Sequence, residues 1–310
     1  MTRVSLIVPV YGVEPYITAC ARSLFSQTYP DIRFIFVDDG SPDRSIEKLE
    51  ALIDSEFPDL KPRIEIIRKA NGGLPQARAT GLLHADGDYI MHVDSDDWLE
   101  KDAVASLVAK AEETGADLVF HDFWKEYPSR SKLDRERAYT AATKMQYIKG
   151  LYTYRAYGYL WNKFARRSLY EGVFTPKYNM HEDIVVANQL IFKAGSLVHL
   201  AKPLYHYRRD NPSASTRVAL KKRRGQSARN FLDLYEHFRP CLSGSPIEAF
   251  TDEILLRAAW IGFTLDRSLF RERPYLREEA RKISLRSGCF IGLFKQLILK
   301  GFFAISPKGR

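Results

Sequence analysis

The residues best suited to chemistry are carboxylates gathered just past apolar runs. Asp94-Ser95-Asp96-Asp97 follows the run Asp88 to Val93, and Asp38-Asp39-Gly40-Ser41 follows Ile32 to Val37. Carboxylates two apart in an extended turn can point the same way. That suits a hard cation such as Mg²⁺ or Mn²⁺, which is held by one or two carboxylates together with substrate phosphates. A third polar cluster, Asn71-Gly72-Gly73, follows Arg63 to Arg68, and its glycines let backbone approach a ligand closely. A separate acidic pair, Glu182-Asp183, follows His181 at the head of the helical run Ile184 to Lys193. Taken singly, each cluster also reads as plain structure: Asp97 or Glu182-Asp183 as helix caps, Gly72-Gly73 as a turn.

The elements that must carry these residues change the balance. Val4 to Val10, Ile32 to Val37, Arg63 to Arg68 and Asp88 to Val93 read as strands. They alternate with helical spacing over Glu14 to Gln27, Asp43 to Ser55 and Pro75 to His84. That alternation predicts an α/β fold with a mostly parallel sheet and helices on both faces, where ligands sit beyond the strands' C-terminal ends. Three polar clusters after successive strands therefore face one crevice. Glu100 to Thr114 continues as helix and Asp117 to Phe123 as strand, while Tyr127 to Arg137 reads as a polar loop. The aromatic run Tyr147 to Phe164 reads mainly as packing, with Trp161, beside Asn162 and Lys163, as the exception. From Arg217 onward helical patterns dominate: Val218 to Phe238, Pro246 to Phe270, Tyr275 to Ser287 and Phe290 to Ile305.

Composition narrows the class. With 310 residues, 45% hydrophobic and 27% charged, the chain is neither disordered, fibrous nor a polytopic membrane protein. Cys20, Cys241 and Cys289 are too few for a disulfide framework and are expected as buried thiols in a reducing compartment. Met1 leads straight into a strand with no secretory pattern, so a cytoplasmic chain is expected. The net charge of +9 is local: 28 Lys+Arg face 29 Asp+Glu up to Thr216, but 19 face 9 from Arg217 on. Those basic residues are strewn over several helices with no reading module, which argues against nucleic acid. Phe290, Ile291, Leu293, Phe294, Leu297, Ile298 and Phe302 fall on one helical arc opposite Lys295, Gln296 and Lys300, the composition of a helix lying on an anionic membrane surface, while Leu299 and Phe303 break that arc and leave a packed core helix with a charged edge as the alternative. After the first strand, Pro9-Val10-Tyr11-Gly12-Val13-Glu14 has no G-x-G-x-x-G, which excludes a dinucleotide dehydrogenase. The Gly-rich basic loop of a sugar-nucleotide nucleotidyltransferase is missing there too.

VSLIVPVYG (Val4 to Gly12), VDDGSPD (Val37 to Asp43), NGGLPQARATGL (Asn71 to Leu82) and DYIMHVDSDDW (Asp88 to Trp98), in that order and spacing, resemble the nucleotide-binding half of a family 2 glycosyltransferase. The resemblance implies a GT-A fold over residues 1–216, with residues 1–100 binding the nucleotide-sugar and 101–216 the acceptor; it does not extend to the basic helical region over 217–310, which rests on its own residues. It implies inverting transfer from a nucleotide-sugar, most often a UDP-sugar, with Mn²⁺ or Mg²⁺. By the same matching Pro9, Val10 and Tyr11 line the base and ribose, Asp39 contacts uracil, and Asn71, Gly73 and Arg78 lie near the nucleotide and diphosphate. Asp94 and Ser95 lie near the ribose or sugar, Asp96 holds the metal with Asp94, and His206 is a possible further ligand. Asp183 is the general base, with Glu182 orienting hydroxyls beside it. Trp161 shapes the sugar pocket, and in HYRRDNPSAST (His206 to Thr216), a loop closing on the diphosphate, Arg208 and Ser213 contact phosphate. The implied acceptor is a saccharide or lipid-linked saccharide of capsule, exopolysaccharide or lipopolysaccharide assembly at the inner face of the cell membrane. A scaffold that binds nucleotide-sugar or membrane without turnover is the alternative.

Overall fold

A computed structural model describes residues 1–135, 144–152, 156–211, 220–242, 255, 258–259 and 266–279. They belong to two compact units. The first comprises Met1–Thr175 and Val186–Pro212; the second comprises Pro176–Val185 and Ser213–Arg310.

The first unit is built on β1 (Val4–Val10), β2 (Ile32–Asp38), β3 (Ile64–Arg68) and β4 (Tyr89–His92), joined in parallel in the order β3-β2-β1-β4. All seven residues of β1 are buried because both faces of the sheet are covered, which is why its apolar run is nearly unbroken. On one face, Leu6, Val8, Phe34 and Phe36 pack with α1 (Ile17–Phe25) and α2 (Ser45–Glu56). On the other, Ile35 and Val37 pack against Ala77 of α3 (Leu74–Leu83). The remainder is mixed: β8 (Lys163–Arg166) runs antiparallel to β4 and to β6 (Leu118–Tyr127), and β9 (Leu197–Arg208) lies parallel to β6. The short β5 (Trp98–Leu99) closes the order against β9, and α4 (Ala103–Thr114) follows it.

Several local expectations change. The sheet itself is mixed, as the GT-A fold implies, parallel from β1 to β4 and joined by antiparallel strands after them. The stretch read as a loop after Tyr127 is a hairpin, with β7 (Arg130–Asp134) paired to β6; its polar residues are those of a solvated strand. Asp97 caps no helix, because β5 intervenes before α4. His206 to Arg208, read as the start of a loop, end the twelve-residue strand β9. α5 (Lys144–Tyr152) and α6 (Glu182–Lys193) complete the elements that bear on the site.

In the second unit α7 (Leu220–Leu242) buries Ala228, Phe231, Leu232, Leu234 and Tyr235. Its polar edge ties to α8 (Ser268–Glu272) and the residues beside it through Arg229 with Asp266 and Glu272, and Arg273 with Asp233. No helix among the described residues is long and apolar enough to cross a membrane. The expected membrane-surface helix from Phe290, and Cys289, lie outside the described residues.

Candidate active site

The predicted clusters converge at the C-terminal ends of β1, β2, β3 and β4. At the end of β1, Pro9 and Val10 are buried while Tyr11 is 50% exposed, an open ring at the mouth of the crevice. Gly12, with φ +68°, turns the chain there, and its N–H donates to Ser41 Oγ at 2.8 Å, joining the β1 and β2 loops.

Asp39 is 3% exposed, and its carboxylate is engaged inside the protein. Oδ1 accepts from Lys69 Nζ (2.6 Å) and the Gly72 N–H (2.9 Å), and Oδ2 from the Gly73 N–H (2.8 Å). Asn71 Nδ2 donates to the Asp39 carbonyl at 3.0 Å. Asp39 therefore organises the Asn71–Gly73 loop, with Gly73 at φ +87° leading into α3. From α3, Arg78 reaches the next cluster: its Nη2 donates to Asp94 Oδ1 at 2.6 Å, and the guanidinium is nearly buried.

The acidic turn is held by residues far along the chain. The Tyr205 hydroxyl accepts from the Asp94 N–H (3.0 Å) and donates to Asp97 Oδ2 (2.8 Å). The Arg208 N–H donates to Asp97 Oδ1 (2.7 Å), Arg208 Nε to the Asp96 carbonyl (2.9 Å), and Asn211 Nδ2 to Asp96 Oδ2 (2.8 Å). Arg208 is itself bracketed by the rings of Tyr16 and Trp98, each 4.9 Å from its guanidinium carbon. Ser95 is buried in the turn, and Cys20 Sγ lies 3.7 Å from the Asp94 carbonyl, a buried thiol as expected. Burial, reinforced by Asp94, raises the carboxyl of Asp96 above its ordinary range; burial with Asp96 and Asp94 raises Asp97 further.

That crowding bears on a metal. Asp97 has both oxygens committed to Tyr205 and Arg208, leaving Asp94 and Asp96 as the carboxylates for a cation. Their all-oxygen chemistry and mutual repulsion fit Mg²⁺ or Mn²⁺ completed by substrate phosphates. Among the described residues no three His, Cys, Asp or Glu form a cation cage of their own. Both nitrogens of His206 are engaged, Nδ1 with Glu126 (2.7 Å) and Nε2 with Glu100 (3.0 Å), and its ring stacks on Trp98, so it is packed in a carboxylate clamp.

Trp161 offers no open face. It is 2% exposed and stacked between Tyr159 (4.6 Å) and Tyr205 (4.3 Å), in an aromatic column that backs the acidic turn. Ser213 lies outside the described residues.

In the second unit, Glu182 is buried and Asp183 Oδ1 accepts from the Ile184 N–H at 2.8 Å, at the start of α6. Ahead of them His181 has φ +58° and its Nδ1 lies 2.7 Å from Ser227 Oγ.

The sequence model of glycosyl transferase family 2 matches residues 5–174. The chain belongs to that family. An uncharacterized glycosyltransferase EpsJ of Bacillus subtilis is 35% identical over 70% of this chain and 64% of its own length. The chain spans less than two thirds of the length of the first curated relatives it matches. Among solved structures, S. aureus TarS with UDP-GlcNAc aligns at a TM-score of 0.67 and 19% identity over 91% of this chain and 80% of that one. The mannosyltransferase PcManGT of Pyrobaculum calidifontis, with GDP-Man and Mn²⁺, aligns at 0.54 and 16% over 96% and 85%. The GT-A fold expected of a family 2 glycosyltransferase is thus the observed one.

Within this family 2 frame, sequence reasoning missed Lys69, Tyr16, Trp98, Tyr205 and Asn211. Lys69 had a signal, a cation two residues before Asn71-Gly72-Gly73. Tyr205 and Asn211 had none, because what marks them is a pairing across more than a hundred residues.

Proposed function

We propose that the chain transfers one sugar, with inversion, from a UDP-sugar to a hydroxyl of a saccharide or lipid-linked saccharide in surface-polysaccharide assembly. The observation that carries this reading is the acidic turn Asp94–Asp97, set among the β1, β2 and β3 loops and braced by Arg78, Tyr205, Arg208 and Asn211. UDP is the nucleotide to try first because a TarS structure of the same fold contains UDP-GlcNAc.

Tyr11 stacks on the base, Asp39 and Asn71 border it, and Arg78 and Arg208 face the diphosphate with Ser213. Asp96 and Asp94 would hold Mn²⁺ or Mg²⁺, whose charge offsets that of the leaving diphosphate. Asp183 takes the proton from the acceptor hydroxyl while that hydroxyl's oxygen bonds to the anomeric carbon. The bond from that carbon to the diphosphate oxygen breaks, and its electron pair leaves with UDP. A placed base of this kind contributes about 10² to 10⁴ in rate. Glu182 orients hydroxyls beside it. The basic C-terminal residues from Arg217, ending in Phe290 to Arg310, dock on anionic lipid at the inner face of the membrane; deleting 290–310 should release the protein from anionic vesicles.

The test is a thermal shift with UDP, GDP, CMP and dTDP, each with and without Mn²⁺. A ligand at 100 times its Kd stabilises by about 2.7 kcal/mol. A Mn²⁺-dependent shift selective for UDP is expected, and no shift with any nucleotide would remove the reading. In Asp183→Asn the UDP shift should persist while UDP release from UDP-sugars is lost.

A further inference from the structure

The acid pair Glu182-Asp183 follows a turn built in an uncommon way. His181 has φ +58°, and it is the one residue other than glycine at positive φ among the described residues. That conformation is disfavoured for a non-glycine residue and persists only where the surroundings fix it. Glycine would adopt it freely, so a histidine here points to work done by the ring. The ring is held: Nδ1 lies 2.7 Å from Ser227 Oγ, and Phe231 stands 5.8 Å from it centre to centre.

The backbone leading into this turn is held by the same helix. Asn230 is fully buried, and its amide is devoted to that strand of chain: Oδ1 accepts from the Tyr178 N–H (3.1 Å), and Nδ2 donates to the carbonyls of Tyr178 (2.7 Å) and Met180 (3.0 Å). Ser227, Asn230 and Phe231 are spaced i, i+3, i+4 on α7, so one helix face grips residues 178–181. The His181 carbonyl then accepts from the Val185 N–H (3.3 Å), starting α6 with Asp183 in its first turn.

We propose that Ser227 and Asn230 of α7 are positioning residues for the base: they lock the left-handed turn at His181 and thereby fix the direction of Asp183. This rests on the reading of Asp183 as general base. It gives the basic C-terminal region, where the family's sequence pattern has ended, a part in the transfer step separate from any membrane contact.

The experiment compares Ser227→Ala, Ser227→Thr, Asn230→Ala and Asp183→Asn with wild type. Turnover is read as UDP release from UDP-glucose, UDP-galactose, UDP-GlcNAc and UDP-GalNAc, donor binding as the UDP thermal shift, and local order as hydrogen exchange of amides 178–185. Ser227→Ala and Asn230→Ala should lower kcat by about 10- to 100-fold, part of what a placed base supplies. The UDP shift should stay at its wild-type size while exchange quickens over 178–185, and Ser227→Thr, which keeps the hydroxyl, should recover kcat. A merely structural role would lower the melting temperature and leave kcat intact. Should Asn230→Ala fail to fold, Ser227→Ala against Ser227→Thr decides alone. Wild-type kcat in Ser227→Ala, with Asp183→Asn inactive, overturns this inference and spares the base. Full turnover in Asp183→Asn, or no UDP release by wild type from any of the four donors, overturns the functional reading and this inference with it.

Discussion

The Tyr205 hydroxyl serves two groups at once, donating to the buried Asp97 carboxylate and accepting from the part-buried Asp94 N–H. Removing it strands both, and a buried polar group left without its partner costs about 1 to 3 kcal/mol. Tyr205→Phe should lose about that much stability in urea unfolding and weaken Mn²⁺-dependent UDP binding. A second residue sets a pH limit. His121 is buried in β6, and burial pushes its pKa down from 6.5 to about 4. Its Nδ1 lies 2.7 Å from the Asp122 carbonyl, which can only accept, so the ring is the neutral Nδ1–H form. The unfolded chain takes up that proton near pH 6.5 and the folded one only near 4. Stability from this group is therefore complete above about pH 6.5 and is lost as pH falls toward 4, by about 3 kcal/mol at most. Urea midpoints at pH 7, 5.5 and 4.5 should fall more steeply for wild type than for His121→Gln.

At the scale of elements, the crevice proposed for the donor depends on how closely α3 approaches the sheet. A Cβ added at Gly81 would overlap Ile7 Cγ2 and lie 3.2 Å from Val37 Cγ2, both on inner strands that have no room to yield. Gly81→Ala should therefore lift α3, at a cost of about 1 to 3 kcal/mol. Because α3 carries Arg78 to Asp94, UDP affinity should fall with the melting temperature. The strands and helices of this half were readable from sequence because each buries an apolar run that stops at a polar turn, as Ile32–Asp38 does. β7 was not: Arg130, Ser131 and Lys132 give a solvated strand the composition of a loop. Nor was the end of β9, whose Pro203 and polar residues break the usual pattern. Asp39, Arg78, Asp94 and Asp96 were legible as residues of one crevice, and so as candidates for the site, because each stands beside a strand end or on the helix after one. The packing of Trp161 and the carboxylate clamp on His206 were not, since both depend on neighbours from other strands.

For the whole molecule, the order β3-β2-β1-β4-β8-β6-β9-β5 makes the first half of the chain an incomplete sheet. A fragment ending at Asp134 keeps the acidic and glycine-rich loops after β2, β3 and β4 yet lacks β8, Tyr205, Arg208 and Asn211. It should show no UDP-dependent shift and should expose β4 as an open edge prone to aggregation. The same separation governs synthesis. Asp94 and Tyr205 are 111 residues apart, and chains grow at about 5 to 20 residues per second, so roughly 5 to 20 s pass between the translation of the two. Through that interval three carboxylates of one turn lie in the nascent chain without the hydroxyl and guanidinium that will settle them. The hydrogen bonds that brace the acidic turn can form only once β9 has been made, so the motif translated early is assembled late.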